Sequence, residues 1–122
     1  VEAEGDGHLE RLRLRDRTSG AEEVVDAPWL FVFIGAAPRT DWLDGLVARD
    51  RAGFVLAGPD LMSGGSRPAG WPLDRDPYLL ETSQPGVFVA GDARAESVKR
   101  VASAVGDGAM AVSLVHRYLE RS

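Results

Sequence analysis

The chain has 122 residues, of which 44% are hydrophobic and 27% charged, and its formal net charge is -5. These values are typical of a single globular domain, and the negative charge argues against nucleic acid and acidic membranes, which bind concentrated basic surfaces. With no cysteine and 2 histidines, a disulfide, a metal site or a histidine-based triad is not expected, so we predict no catalytic and no metal-binding residue. No apolar run reaches the roughly 20 residues of a membrane span, which favours a cytoplasmic location.

Two short strand-like runs open the chain, at residues 9–15 and 22–27. The turn residues Ser19 and Gly20 lie between them, and this arrangement predicts a β-hairpin. At strand spacing, one side of the first run carries a set of arginines: Arg11, Arg13, Arg15 and Arg17. We interpret that side as the solvated face of an edge strand rather than as a nucleic-acid site.

The middle of the chain alternates apolar runs with turn residues. Residues 29–34 are a continuous apolar run that predicts a strand buried on both faces, and Gly35 ends it. Thr40 is placed as the N-cap of one short helical turn over residues 40–47. Residues 53–58 predict another short strand between glycines.

The second half predicts a loop, a strand and a helix in succession. Residues 59–77 are rich in proline and glycine and predict a long surface loop. Residues 87–90 predict a second buried strand. From Ser97 onward, apolar residues recur at steps of three and four and predict one amphipathic helix: Val98, Val101, Val105, Ala109, Val112, Val115 and Leu119.

The letters GDGAMA, residues 106–111, match the G-x-G-x-x-A dinucleotide fingerprint. That fingerprint requires a preceding strand and a helix that opens at the glycines, whereas the apolar helical period here passes through both glycines without a change of phase. We therefore interpret Gly106 and Gly108 as helix positions that allow a neighbouring strand or cofactor to approach closely.

The stretch GVFVAGDAR, residues 86–94, places Gly91 and Asp92 at the end of a predicted buried strand. Ligands of open α/β sheets bind at such strand ends, where a carboxylate can accept a hydrogen bond from a sugar-like hydroxyl. An acid in this place can equally be a turn residue or the cap of the helix that follows. The residues themselves leave these two alternatives open.

Two spaced motifs resemble those of the pyridine nucleotide-disulfide oxidoreductases, most closely the thioredoxin reductase group. TSQPGVFVAGDA, followed by KRVASAVGDGAMAV, resembles the C-terminal FAD-contacting segment of that family. LFVFIGAAPRT is similar to the strand-Gly-x-x-Pro-Asn-Thr element that returns the chain from the NAD(P) domain to the FAD domain, with Arg39 where asparagine is usual. The resemblance predicts an α/β fold: a fragment of a two-domain FAD/NAD(P)-binding, Rossmann-like fold with a β-hairpin, buried strands and a long C-terminal helix.

The resemblance also assigns domains and cofactor contacts. Residues 1–34 become the end of the NAD(P)-binding domain, and residues 35–122 become the last segment of the FAD-binding domain. It implies that the Asp92 carboxylate binds a ribityl hydroxyl of FAD and that Gly91 lets the cofactor approach. The remaining predicted contacts are Gly35 in the upstream motif and, where helix amides face the flavin in place of the family's Arg-Gln-Ala, Lys99, Arg100 and Val101.

For the complete protein, the resemblance implies electron transfer from NAD(P)H through FAD to a disulfide or another acceptor, with thioredoxin as a protein partner. The apolar runs and the final helix would expose apolar surface, and we expect a homodimer. The family's glycine-rich loops and its Cys-x-x-Cys would lie upstream of Val1, so we expect the chain alone to be inactive. Two alternatives stay open: a non-catalytic or regulatory module that acts by self-association, and a ferredoxin-NADP reductase-like flavoprotein, which needs no cysteine pair.

Overall fold

The structure of the chain, a computed structural model, describes residues 1–121. It divides into two compact units: the N-terminal unit, Val1–Gly35, and the C-terminal unit, which begins at Ala36. Apart from short 3₁₀ helices, the elements of the described residues are β1 (Glu2–Glu4), β2 (Arg11–Arg15), β3 (Glu22–Asp26) and α1 (Val101–Leu119). A sheet followed by a long C-terminal helix is the α/β arrangement that the sequence predicts.

The N-terminal unit contains an antiparallel sheet in the order β1-β2-β3. Leu12 lies opposite Ala3 on β1 and opposite Val25 on β3, and its side chain is buried. Asp16 holds the turn between β2 and β3, because its Oδ1 atom accepts hydrogen bonds from the N–H group and the hydroxyl of Ser19. The predicted hairpin is confirmed, and β1 extends it to three strands.

The arginine series of β2 lies in the central strand of this sheet, not at the solvated edge that the sequence predicts. Arg13 Nη2 lies 2.8 Å from Glu4 Oε1, and Arg15 pairs with Glu22 on the other neighbouring strand. Opposite charges on facing strands stabilise the pairing of those strands, so the arginines select the glutamates beside them. A strand of three residues is too short to show its own alternation, which is why the sequence does not predict β1.

Residues 29–34, predicted as a strand buried on both faces, are neither a strand nor buried. Phe33 and Ile34 are 90% and 89% exposed. A strand of this kind needs neighbouring strands for its backbone and an apolar layer on each face. Residues 1–121 supply neither at this position, so the prediction is wrong for want of partners rather than of propensity. Gly35, at φ 86°, ends the N-terminal unit.

A small core ties together three stretches of the C-terminal unit. The side chains of Val55, Leu80 and Ala95 are each at most 2% exposed. The N–H of Val55 donates to the carbonyl of Ala93 at 2.9 Å, and the carbonyl of Val55 accepts from Ala95 N–H at 2.8 Å. The N–H of Val89 donates to the carbonyl of Leu80, also at 2.9 Å. Backbone hydrogen bonds and apolar burial therefore hold the same residues in place.

The two short strands predicted at residues 53–58 and 87–90 are reduced to isolated β-bridges. Val55 forms two such bridges and Phe88 forms one. Val87, predicted to be buried, is 42% exposed. A strand requires a ladder of consecutive partners, and here each pairing ends after a single bridge. The extended conformation is present, but the continuous sheet is not.

A 3₁₀ helix, Asp41–Leu43, occupies the helical turn predicted after Thr40. The sequence predicts that Thr40 caps this helix, but its side chain makes no capping hydrogen bond. Its hydroxyl donates instead to the carbonyl of Gly53, and the side chain is buried by that contact. The hydroxyl thus links two parts of the C-terminal unit rather than one helix end.

The predicted loop over residues 59–77 begins inside the 3₁₀ helix Gly58–Leu61. The rest of the loop contains neither an α-helix nor a β-strand. Arg67 holds the loop together: its Nε donates to Asp76 at 2.9 Å and its Nη1 to Asp74 at 3.1 Å. The indole Nε1 of Trp71 donates to the carbonyl of Arg75 at 2.7 Å. The loop is therefore ordered by its own side chains and not by regular structure.

Helix α1 begins at Val101, three residues after the start predicted directly behind Ser97. Lys99 adopts a left-handed backbone with φ 56°, and Arg100 is extended with φ -125° and ψ 142°. Neither conformation belongs to a right-handed α-helix, so the chain cannot be helical from Ser97. The helical spacing of apolar residues begins at Val98, which lies before the observed start of the helix. The spacing therefore extends over residues that are not helical.

The face of α1 that packs against described residues is not the predicted apolar face. Ala104 lies against Gly91, and the ring of Tyr118 meets the ring of Phe88 edge-on at a centroid distance of 6.4 Å. The predicted face is exposed: Val101 at 84%, Val105 at 68%, Val112 at 59% and Leu119 at 64%. The period thus predicts the helix correctly, whereas a different face of it, which carries Ala104 and Tyr118, makes the contacts.

The GDGAMA letters lie inside α1, as predicted, and not in a phosphate-binding loop. A Cβ atom added at Gly106 or Gly108 would meet nothing within 4 Å among the residues described. Among residues 1–121, no neighbouring strand therefore makes the close approach predicted at these two glycines.

Candidate functional site

The candidate site is built on a 3₁₀ turn, Gly91–Ala93, that packs against α1. Gly91 is buried and has a left-handed backbone with φ 73°. A Cβ atom at this position would lie 3.1 Å from Cβ of Ala104, which is closer than ordinary van der Waals contact. Both the conformation and the space therefore require glycine. The sequence predicts a close approach of ligand at Gly91; the structure brings the helix there.

Asp92 follows in this turn with an exposed side chain. Its carboxylate makes no hydrogen bond or ion pair within residues 1–121. It does not cap the turn that contains it, and the N-terminus of α1, whose N-cap residue is Arg100, has no side-chain cap. The helix-cap interpretation is therefore wrong, whereas Asp92 does lie in a turn. The carboxylate is available to accept hydrogen bonds from a ligand.

Asp107, in α1, anchors the turn by accepting two hydrogen bonds. Its Oδ2 atom accepts the N–H of Gly91 at 3.1 Å and the Nε–H of Arg94 at 3.1 Å. These donors stand at the two ends of the turn, with Asp92 between them. Sequence reasoning missed Asp107 because it lies between Gly106 and Gly108, whose spacing suggested a glycine motif. The available signal was an acidic residue three positions after Ala104, on the same face of the helix.

Lys99 serves a structural role in the segment before α1. Its Nζ donates to the carbonyl of Arg94 at 2.9 Å and to the hydroxyl of Ser97 at 2.6 Å, and it lies 4.0 Å from the ring centroid of Phe54. The side chain is thereby committed to the protein. The bond to Arg94 ties the start of α1 to the Asp92 turn.

The first turn of α1 carries backbone N–H groups that no side chain caps. The first N–H groups of any α-helix lack intrahelical partners, and they lie at the positive end of the helix dipole. Arg100 and Val101 are both exposed at this end. The predicted contacts of the C-terminal unit thus combine an uncommitted acceptor at Asp92 with uncommitted donors at residues 100–101. Gly35 belongs to the N-terminal unit and not to this set.

An apolar cleft of about 310 Å³ runs beside the same turn. Its lining includes Ala90 and Ala93, which flank and belong to the turn, together with Trp42, Val55 and Phe88. The sequence does not predict this cleft, because its walls come from segments far apart along the chain. An apolar cavity next to a few polar groups is the usual form of a small-molecule site.

Neither a metal cluster nor a membrane-spanning helix is found in the part of the chain that the structure describes. No group of three or more histidine, aspartate or glutamate side chains is arranged there to hold a metal ion. No helix there is long and apolar enough to cross a bilayer.

Comparison with known proteins finds relatives along the whole chain, although no family model matches it. A component of the alkyl hydroperoxide reductase of Escherichia coli is 33% identical over 123 residues, covering 100% of this chain and 20% of that protein. Thioredoxin reductase of Peptoclostridium acidaminophilum is 29% identical over 125 residues, covering 98% of this chain and 34% of that protein. The chain thus spans between a fifth and about a third of the length of these relatives.

A solved structure shows the same fold. The thioredoxin reductase of Streptococcus pyogenes superposes with a TM-score of 0.65 at 24% identity, over 99% of this chain and 34% of that one. The match covers both units of the chain, so the α/β fragment predicted from the two motifs is confirmed. By sequence and by fold, the chain is related to a segment of the thioredoxin reductase-like flavoprotein oxidoreductases.

Proposed function

We propose that the chain forms one wall of the flavin site in an oxidoreductase that passes electrons from NAD(P)H through FAD to a disulfide or another acceptor. The observation that carries this proposal is Asp92, an exposed and unpaired carboxylate in a turn that packs through Gly91 against α1 and is bonded to Asp107 of that helix. The relatives named thioredoxin reductase support the class of reaction.

The domain assignment is part of the same proposal. Residues 1–34 end an NAD(P)-binding domain, and residues 35–122 are the last segment of an FAD-binding domain. The division of the chain into compact units after Gly35 supports this boundary. On this assignment, Gly35 lies at the crossing between the two domains.

The residues present fit an FAD molecule in their chemistry. Asp92 offers a carboxylate acceptor for a ribityl hydroxyl, and nothing in the described protein competes for it. The uncapped N–H groups near Arg100 and Val101 are donors at a positive helix end, which suits the polar edge of the flavin ring. Gly91 contributes by shaping the turn that carries Asp92, and Lys99 contributes through its backbone, since its ammonium is already bonded.

The cofactors supply the redox chemistry, in that NAD(P)H donates hydride and FAD accepts it and delivers the electrons. The share of this chain is to bind and orient. Asp92 holds the ribityl chain, and the helix N-terminus favours negative charge on the ring that it faces. No side chain of this site is assigned a proton transfer, and the chain alone is proposed to be inactive.

Partners and location follow from the family and are proposed with it. Thioredoxin is a candidate protein disulfide for the complete protein, which we propose to be a cytoplasmic homodimer. The relatives named thioredoxin reductase support the choice of thioredoxin. On this proposal, the residues that contact the electron acceptor belong to other parts of the complete protein.

The test is Asp92→Ala in the full-length protein, with Asp60→Ala as a matched control. Asp60 is also an exposed acid in the first turn of a 3₁₀ helix, but it lies outside the candidate site. We expect Asp92→Ala to weaken FAD binding by about tenfold or more, since a hydrogen bond to a charged group is lost. Flavin absorbance per protein and NAD(P)H-dependent turnover measure the effect. Equal flavin content in the two variants would remove the proposal.

A second candidate function is a non-catalytic or regulatory module that acts by self-association. Two exposed apolar surfaces favour it, because apolar patches drive association. They are residues 29–34 and the predicted apolar face of α1. Light scattering and the absorption spectrum of the purified 122-residue chain separate the two candidates. A mass that rises with concentration, without retained flavin after incubation with FAD and desalting, would favour the module.

A further inference from the structure

We infer that Asp107 is a positioning residue for the flavin site: through the ends of the turn it sets where the Asp92 carboxylate stands. This inference rests on the proposed function, because it deepens the role given to Asp92. Asp107 itself faces the turn and not the ligand.

The hydrogen bonds of Asp107 bracket Asp92 along the chain. Gly91, immediately before it, donates its N–H to Oδ2 of Asp107, and Arg94, two residues after it, donates Nε–H to the same oxygen, each at 3.1 Å. The N–H at the start of a 3₁₀ helix has no partner within that helix. Because Gly91 is buried, Asp107 satisfies a donor that would otherwise lack an acceptor.

The environment makes these bonds strong. The side chains of Asp107 and Arg94 are 18% and 21% exposed, so water competes little for them. Bonds that involve ionised groups are roughly twice as strong as neutral ones. One turn earlier on the same face of α1, Ala104 sits against Gly91 at contact distance. The helix therefore holds the turn by shape and by charge at adjacent points.

Asp92 depends on this anchor because it has no other. Its side chain makes no bond within residues 1–121, so its position follows the backbone of the turn. Arg94 carries the same constraint further: its guanidinium binds Asp107, while its carbonyl accepts the Lys99 ammonium at 2.9 Å. Arg94 thereby connects the acceptor at Asp92 with the segment that leads into the N-terminus of α1. A change at Asp107 should disturb both groups that face the ligand.

The experiment compares four variants of the full-length protein: Asp107→Ala, Asp107→Asn, Asp92→Ala and the control Asp60→Ala. FAD is titrated into each apoprotein to obtain the Kd, and the visible absorption and circular dichroism of bound flavin are recorded at saturation. We expect Asp107→Ala to raise the Kd about tenfold and to shift the flavin bands. Asp107→Asn should recover most of the affinity, because its amide oxygen still accepts the N–H of Gly91.

The outcomes are separable. If Asp92→Ala weakens FAD binding while Asp107→Ala binds like Asp60→Ala, the positioning role is overturned and the proposed function stands. If Asp92→Ala binds FAD normally, the proposed function fails and the positioning role fails with it. If Asp107→Asn loses as much affinity as Asp107→Ala, a general structural role replaces the positioning one. Should Asp107→Ala not fold, an Asp107→Asn variant that binds FAD as weakly as Asp92→Ala would overturn the inference.

Discussion

Replacing Glu81 with glutamine should destabilise the C-terminal unit strongly, because this carboxylate is fully buried and both of its oxygens accept hydrogen bonds. Its Oε2 lies 2.6 Å from Nη1 of Arg75, and its Oε1 accepts Nη2 of the same guanidinium at 2.9 Å. The N–H groups of Tyr78 and Gly86 donate to it as well, each at 2.9 Å. The Arg75 guanidinium also lies 3.9 Å from the ring centroid of Tyr78.

The magnitude follows from what glutamine cannot do. Its shape is nearly the same, but it has a single acceptor oxygen, and its NH₂ group must face a donor of Arg75 or of the backbone. Arg75 would remain a cation with a side chain only 20% exposed and with its charged partner gone. Removing one partner of a buried ion pair costs about 3–5 kcal/mol. We expect a loss near the lower end, about 3 kcal/mol, because glutamine retains some acceptance.

Native-state hydrogen exchange of the full-length protein is the assay, followed on peptides that cover residues 75–90. A loss of about 3 kcal/mol in local stability accelerates exchange there by roughly a hundredfold. The control is Asp74→Asn, which removes the exposed partner of Arg67 and should change local stability by less than about 1 kcal/mol. Exchange in Glu81→Gln that matches Asp74→Asn would refute the reasoning that burial gives this pair its weight.

Three further results are expected. Burial by itself would raise the pKa of Glu81, but hydrogen bonds from Arg75 and from two backbone N–H groups lower that pKa below its ordinary value of 4.5. The stabilisation contributed by the Glu81 carboxylate should therefore be fully present above about pH 5 and be lost as the pH falls through the lowered pKa. The Glu81→Gln variant should lack this pH dependence in acid-unfolding curves. Gly86→Ala should destabilise by about 1–3 kcal/mol in denaturant unfolding, since φ is 77° and the new Cβ would lie 2.8 Å from the Tyr118 ring. Gly106→Ala should stabilise by about 1 kcal/mol, because that helical site is open, and a destabilised variant would contradict this.

Local patterns predict several elements of this chain correctly. The hairpin follows from two β-prone runs on either side of Ser19 and Gly20, and its register needs only neighbouring residues. The long helix follows from the apolar period, although it begins at Val101 and not directly behind Ser97, because Lys99 is left-handed. The backbone conformation of a single residue is not visible in such a period.

The strand predictions show where local patterns stop. Residues 29–34 and 87–90 have the composition of buried strands, yet neither forms a ladder in the described residues. β-Propensity measures how well a residue fits beside neighbours, so it has no consequence where the neighbours are missing. Helices satisfy their own backbone bonds and are spared this dependence.

The candidate site divides in the same way. The sequence by itself determines the Gly91-Asp92 pair and the resemblance that gives it meaning, because both depend on residues in fixed order. Only the tertiary structure identifies Asp107 as the anchor of that turn and frees Asp92 from a capping role. It also decides which face of α1 packs. These features depend on distances between residues 16 positions apart, and folding, not local spacing, sets those distances.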